Sequence, residues 1–194
     1  MKLVQIKPIG QLFQVVFDND QKFLISSSLI IEGNLQIDQF FSTEEYLKFE
    51  SAALIDKNYL KCLNFIAYRQ RTTKEIQTYL MKFNLDQLII ESIIKKLQQN
   101  NFLNDNHFIE AFINDSLNLN LRSIKMIRFN LLKKGFKKSE VDKILINYDD
   151  QEILKKLILK KQKIKNYQNP QKLINYLLNQ GFDYQQIKTA LSNQ

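Results

Sequence analysis

The sequence predicts a mainly all-α protein built as three tandem three-helix, helix-turn-helix-like units in a curved array, preceded by a small N-terminal β-hairpin or sheet. Three observations carry this reading. One phrase is written three times: an aliphatic pair, two further residues, a residue tolerant of left-handed backbone, and a large apolar side chain. It reads Leu80-Met81-Lys82-Phe83-Asn84-Leu85, then Leu131-Leu132-Lys133-Lys134-Gly135-Phe136, then Leu177-Leu178-Asn179-Gln180-Gly181-Phe182. An aliphatic residue stands four places before each phrase (Ile76, Ile127, Leu173) and another five places after it (Ile90, Val141, Ile187), so the register holds on both sides. Asn or Gly after a helical run adopts the left-handed conformation cheaply and stops the helix, and the next apolar residue packs back across the stop. Each phrase is therefore a helix, a tight turn and a second helix, with Leu80, Leu131 and Leu177 standing 51 and 46 residues apart, the spacing of a helical array. The third observation is punctuation. Only four Gly and two Pro occur among 194 residues, which leaves little material for loops.

The elements follow in order. Residues 1 to about 26 alternate in the strand manner, with breaks at Pro8-Ile9-Gly10 and Asp18-Asn19-Asp20, and fit two or three antiparallel strands. Ser26 to Glu32 reads as a short capped helix stopped by Gly33. Ser42-Thr43-Glu44-Glu45 opens another, with acids in the first turn where the helix dipole favours them. The helical pattern then runs to about Arg69, with a break near Asp56 to Asn58. Nine helices in three triplets follow: near 58–70, 73–83 and 86–100; near 105–118, 122–134 and 138–147; near 150–166, 170–180 and 184–192. Thr72-Thr73 with Glu75, Asn104-Asp105, Asp149-Asp150 and Asn169-Pro170 supply the helix starts. The expected divisions are a strand-rich segment with a helix over 1–56 and three-helix units over 57–103, 104–148 and 149–194.

Charge is divided along the chain. Residues 1–56 hold four Lys and eight acidic residues, a net of −4, and the remaining 24 of 28 basic and 12 of 20 acidic residues give 57–194 a net of +12. A basic array points to an anionic partner, although Lys-rich helices are also what a solvated surface looks like. No stretch is long and apolar enough to span a bilayer, and the first residues lack the apolar run of a signal peptide, so a cytoplasmic protein with no membrane contact is expected; a monomer is expected as well. The single Cys62 excludes an internal disulfide and sits in an apolar stripe with Phe65 and Ile66.

Catalysis finds no constellation. The lone His107 lies in a helical first turn, no His/Cys/carboxylate cluster has metal-ligand spacing, and the four Gly stand apart, so no enzyme activity and no cofactor are expected. The candidate residues are basic. Arg69 and Arg71 close the first helix of unit one, where they either suit the helix C-terminus or project toward phosphate or carboxylate. Arg122, Lys125 and Arg128 follow steps of three opposite Ile124, Ile127 and Leu131, with Lys133 and Lys134 in the turn beyond. Lys156, Lys160 and Lys163 do the same beside Leu154, Leu157 and Ile164. Such stripes track charge and do not read sequence. Phe129, Phe136 and Phe182 occupy repeat positions and are expected in the core.

Leu63-Asn64-Phe65-Ile66-Ala67-Tyr68-Arg69-Gln70-Arg71-Thr72-Thr73-Lys74-Glu75-Ile76 resembles the opening of the RecX family, with its apolar helix, R-x-R pair, Ser or Thr, and Glu-aliphatic step. Phe102 to Ile109 is similar to that family's leucine, (Asp/Asn)-Asp, Phe-Ala segment. Lys133-Lys134-Gly135-Phe136 resembles its K-G-aliphatic turn, and Gln180-Gly181-Phe182 with Ile187 its closing turn and last helix. The similarity covers roughly 60–194. The chain departs from the pattern just before the second helix of unit two, where the family usually has a glycine and this chain reads Asn118-Leu119-Asn120-Leu121-Arg122, at Asn84 in place of glycine, and at Ile109 in place of Ala. The resemblance implies a regulator that binds the RecA–DNA filament, dampens its ATP hydrolysis, extension and strand exchange, and binds single- or double-stranded DNA weakly without sequence preference. The alternative is a basic helical protein acting on DNA or RNA directly, without RecA.

Overall fold

The computed structural model describes residues 1–192. Among them the chain forms three strands, β1 (Leu3–Ile9), β2 (Leu12–Phe17) and β3 (Lys22–Ile25), followed by ten α-helices. These are α1 (Ser27–Glu32), α2 (Thr43–Ala67), α3 (Thr73–Met81), α4 (Gln87–Gln99), α5 (Asp105–Asn118), α6 (Ile124–Lys133), α7 (Lys138–Leu145), α8 (Gln151–Gln162), α9 (Pro170–Asn179) and α10 (Tyr184–Ser192). The chain folds as two compact units that meet in sequence at Asn104 and Asp105.

In the first unit the strands pair antiparallel in the order β1-β2-β3. Pro8 falls inside β1 opposite Phe13 and does not break it, because β1 is an edge strand and a missing N–H is tolerated there. Three short strands are marginal alone. The sheet is held by a core of Leu3, Val15, Phe17 and Ile25 against Leu35, Tyr46, Phe49 and Ala53. Phe17 is its hub, with ring centroids 5.0 Å from Tyr46, 5.2 Å from Phe49 and 5.4 Å from Phe41.

A further expectation for this region is corrected. Helix α2 runs unbroken through Asp56 and Asn58, because the Asp56 carboxylate is taken up by Ser26 and the Asn58 amide bonds back to a carbonyl one turn earlier without interrupting the helix. The Asp56 carboxylate accepts the Ser26 backbone N–H at 2.7 Å and its hydroxyl at 2.8 Å, and Asn58 donates back to the Leu54 carbonyl at 2.8 Å. Helix α1 ends at Gly33 as expected, with Gly33 at a right-handed φ of −84° and the next residue, Asn34, left-handed at +43°.

The three repeat phrases fold alike. All nine aliphatic markers, Ile76, Leu80, Ile90, Ile127, Leu131, Val141, Leu173, Leu177 and Ile187, are buried. Asn84, Gly135 and Gly181 hold φ of +51°, +98° and +90°. In the second and third phrases the residue after glycine donates back to the first leucine at 3.3 Å, Phe136 to Leu131 and Phe182 to Leu177, which closes the helix end. Each triplet builds its own core. The C-terminal half of α2 with α3 and α4 surrounds Cys62 and Leu97; α5 to α7 surround Ile113 and Leu131; α8 to α10 surround Ile158 and Leu177. Thr72, with Glu75, caps α3, and Asn169 caps α9 with Pro170 at its first position.

The helix starts of the second unit are less local than the sequence implied. Asp150 does not cap α8 with its side chain; its carboxylate accepts the Ile124 N–H at the start of α6 at 2.8 Å. Ser123, which caps α6, also donates its hydroxyl to the Gln180 carbonyl at 3.0 Å. Leu121 takes φ +49°, the left-handed conformation a glycine would take without strain, while its side chain packs into the core of α8 to α10. That packing is the physical return on an otherwise unfavourable backbone.

Candidate binding surface

Basic side chains were the sequence's candidates, and the structure sorts them by what they already touch. Arg69 and Arg71 do not close a helix. Helix α2 ends at Ala67, and the pair lies in the linker before α3. Arg69 grips Glu75 with both nitrogens, at 2.8 and 3.2 Å, while Arg71 lies over the Phe65 ring at 3.7 Å and donates to the Phe65 carbonyl. A two-pronged guanidinium–carboxylate pair and a stacked guanidinium are both committed within the fold.

Helix α6 begins at Ile124, two residues later than the stripe requires, so Arg122 stands ahead of the Ser123 cap and not on the helix. Lys125 pairs with Asp183 at 3.0 Å and Arg128 with Asp142 at 2.8 Å. Lys134 lies over the Phe108 and Phe112 rings at 5.1 and 5.6 Å, and Lys133 is exposed. Lys125 and Arg128 of the α6 stripe are thus charge-balanced by Asp183, just before α10, and by Asp142 on α7.

Helix α8 differs. Leu154, Leu157 and Ile158 are buried, and Lys156 and Lys160 point the other way into solvent, with Lys163 exposed at the helix end. Among the described residues, neither these three nor Lys133 has a carboxylate at ion-pair distance, whereas the adjacent Lys155 does, on Glu152 at 2.7 Å. That hydrogen bond and its charge raise the Lys155 amine above its ordinary pKa. The helix was expected to reach 166 but ends at Gln162, and Ile164 is exposed instead of core. Three exposed ammonium groups on one helix face can hold phosphate or carboxylate oxygens, and no other chemistry.

Phe129 is the correction with most consequence. It was expected in the core, yet it is 60 % exposed, on the side of α6 opposite Ile127 and Leu131. Phe136 is half-buried and Phe182 buried, as expected. A helical projection already separates Phe129 from the buried face, and so does the repeat, whose equivalent residues Thr78 and Asn175 are polar and exposed. Cys62 is buried, and burial pushes its thiol up to about 11, so it is no nucleophile at neutral pH. Among the described residues no helix is long and apolar enough to cross a membrane.

A small sheet followed by three tandem three-helix units, with its excess of cations on the helices after the first 56 residues, defines a helical-repeat protein of the helix-turn-helix type. Residues 59–97 match the family model for the first three-helix domain of RecX. A regulatory protein RecX from Streptococcus agalactiae serotype V is 29 % identical over 201 residues, covering 100 % of this chain and 77 % of that protein. The crystal structure of a regulatory protein RecX shares the fold at a TM-score of 0.72 and 24 % identity, over 97 % of this chain and 98 % of that one. The crystal structure of RecX from Lactobacillus salivarius superposes at a TM-score of 0.60 with 30 % identity, over 72 % of this chain and 95 % of that one. The chain belongs to the RecX family.

Proposed function

We propose that the protein binds the RecA–DNA filament and restrains it, slowing ATP hydrolysis, filament extension and strand exchange, without chemistry of its own. The observation that carries this reading is the exposed, carboxylate-free stripe Lys156, Lys160 and Lys163 on a chain of the RecX family. A filament that encloses DNA is an acidic surface, and a helix face of unpaired amines complements it in sign. Lys133 extends the contact, while Arg69, Arg71, Lys125, Arg128 and Lys134 hold the fold through their internal partners and Arg122 adds charge at the α5–α6 linker. DNA alone binds through the same amines, weakly and without sequence preference, because point charges register phosphates and not bases.

The test is the ATPase of RecA on single-stranded DNA, titrated with this protein. The reading expects hydrolysis to fall at less than one copy per RecA, with no hydrolysis by the protein alone. Undiminished ATPase and strand exchange at saturating protein would overturn it. Direct action on nucleic acid would instead show as a tight, sequence-selective complex that survives salt, which amine–phosphate contacts do not.

A further inference from the structure

We infer that the outward face of α6, centred on Phe129, is the anchor by which the chain grips an apolar pocket on the protein subunits of its partner, as distinct from the DNA. It rests on the recombinase filament being that partner. Four observations lead there. Phe129 is 60 % exposed in the middle of a regular helix, and Leu132, one turn on, is 36 % exposed beside it. The fold does not ask for an aromatic at this place: the equivalent repeat positions, 51 residues earlier and 46 later, are Thr78 and Asn175, both exposed and polar. The second triplet alone puts a large apolar ring there.

Charge decides the occupant. Two of the three cations on α6 already have a carboxylate, Lys125 with Asp183 and Arg128 with Asp142, and Lys133, one turn beyond the ring, stands without one among the described residues. A phosphate backbone laid on this face would meet Asp183 and Asp142 together with their cations, and Lys133 alone would be left to attract it. A protein surface with an apolar centre and mixed polar rim suits it, since paired charges around an aromatic are the usual margin of a protein-binding hot spot. The unpaired amines of α8 offer the opposite chemistry on another helix of the same unit.

Presentation is rigid. The start of α6 is fixed by the Ser123 cap and by Asp150 on the Ile124 N–H, and Gly181 backs directly onto Met126 in the same first turn. A ring carried on a helix held at both its cap and its flank has little freedom to lose on docking.

The test compares two probes for each variant by fluorescence anisotropy: RecA assembled on single-stranded DNA, and the same DNA bare. Phe129→Ala is expected to weaken binding to the RecA-coated DNA about 30-fold, as loss of an aromatic hot spot does, and to leave bare-DNA affinity and the melting temperature unchanged. Phe129→Leu should keep most of the affinity. Phe129→Asn, the residue the third triplet uses there, repeats the test if the alanine variant melts early. Equal loss on both probes would make Phe129 a base-stacking residue and overturn the anchor. Unchanged affinity for the coated DNA would overturn it too, with wild-type binding leaving the filament reading intact. A wild-type protein that ignores coated DNA removes both at once.

Discussion

Gly181 shows how much a single position can carry. It holds φ +90°, and a methyl group added there would lie 2.5 Å from the Ser123 hydroxyl and 3.1 Å from the Met126 Cβ. The hydroxyl cannot swing aside cheaply, because it accepts from the Met126 N–H and donates to the Gln180 carbonyl. Gly181→Ala should therefore cost about 2–4 kcal/mol, the strain of positive φ plus overpacking, against about 1 kcal/mol for Gly135→Ala from its φ alone. Urea unfolding of the two variants checks the order, and equal midpoints would place the Ser123 contact elsewhere. The glycine's left-handed turn was legible in the sequence. Its second duty was not, since Ser123 lies 58 residues away and only folding brings it near. The thiol of Cys62 offers a second residue-scale check. Burial holds its pKa at about 11 against an ordinary 9.0, so the folded state keeps its proton where the unfolded chain loses it. Stability from this group is complete below pH 9.0 and falls as pH rises from there toward 11. At pH 8 a thiol reagent should label Cys62 only after denaturant is added; rapid labelling of the folded protein would contradict the burial.

At the scale of the element, helical periodicity did most of the reading and failed where a partner distant in sequence decides. The three phrases located α3, α6 and α9 and their stops because apolar spacing and a left-handed residue are local signals. The unbroken α2 was hidden, since Asp56 and Asn58 look like breakers until Asp56 is seen to accept from Ser26 and Asn58 to donate back to the Leu54 carbonyl. The stripes Lys125–Arg128 and Lys156–Lys160 look alike in sequence, and only the fold shows that Asp183 and Asp142 neutralise the first. The two helices should therefore respond differently to charge reversal. Changing Lys156, Lys160 and Lys163 to Glu leaves the melting temperature within about 2 °C, because exposed charges without partners contribute little to stability. Changing Lys125 and Arg128 to Glu sets new carboxylates against Asp183 and Asp142 and lowers stability by about 1 kcal/mol, two exposed pairs turned repulsive. Thermal melts of both variants decide this, and matching losses would mean that the α8 amines hold the fold after all.

For the whole molecule, the chain reads as an acidic, aromatic-cored front end followed by basic helices in three triplets. That order was legible from composition and from the repeat, and so was membership of the RecX family, because the motifs fall in sequence at the right spacing. Which basic residues remain available to a partner was not legible, since availability depends on carboxylates and rings contributed by other elements. The central claim is that a stripe of unpaired amines on α8 engages a recombinase filament. The most direct measurement is the rate of ATP hydrolysis by RecA on single-stranded DNA with wild-type protein and with Lys156, Lys160 and Lys163 all changed to Glu. The account predicts strong inhibition by the wild type and, from an equally stable variant, inhibition only at concentrations at least tenfold higher, as several favourable contacts become repulsive together. Inhibition by the variant at the wild-type concentration would contradict it.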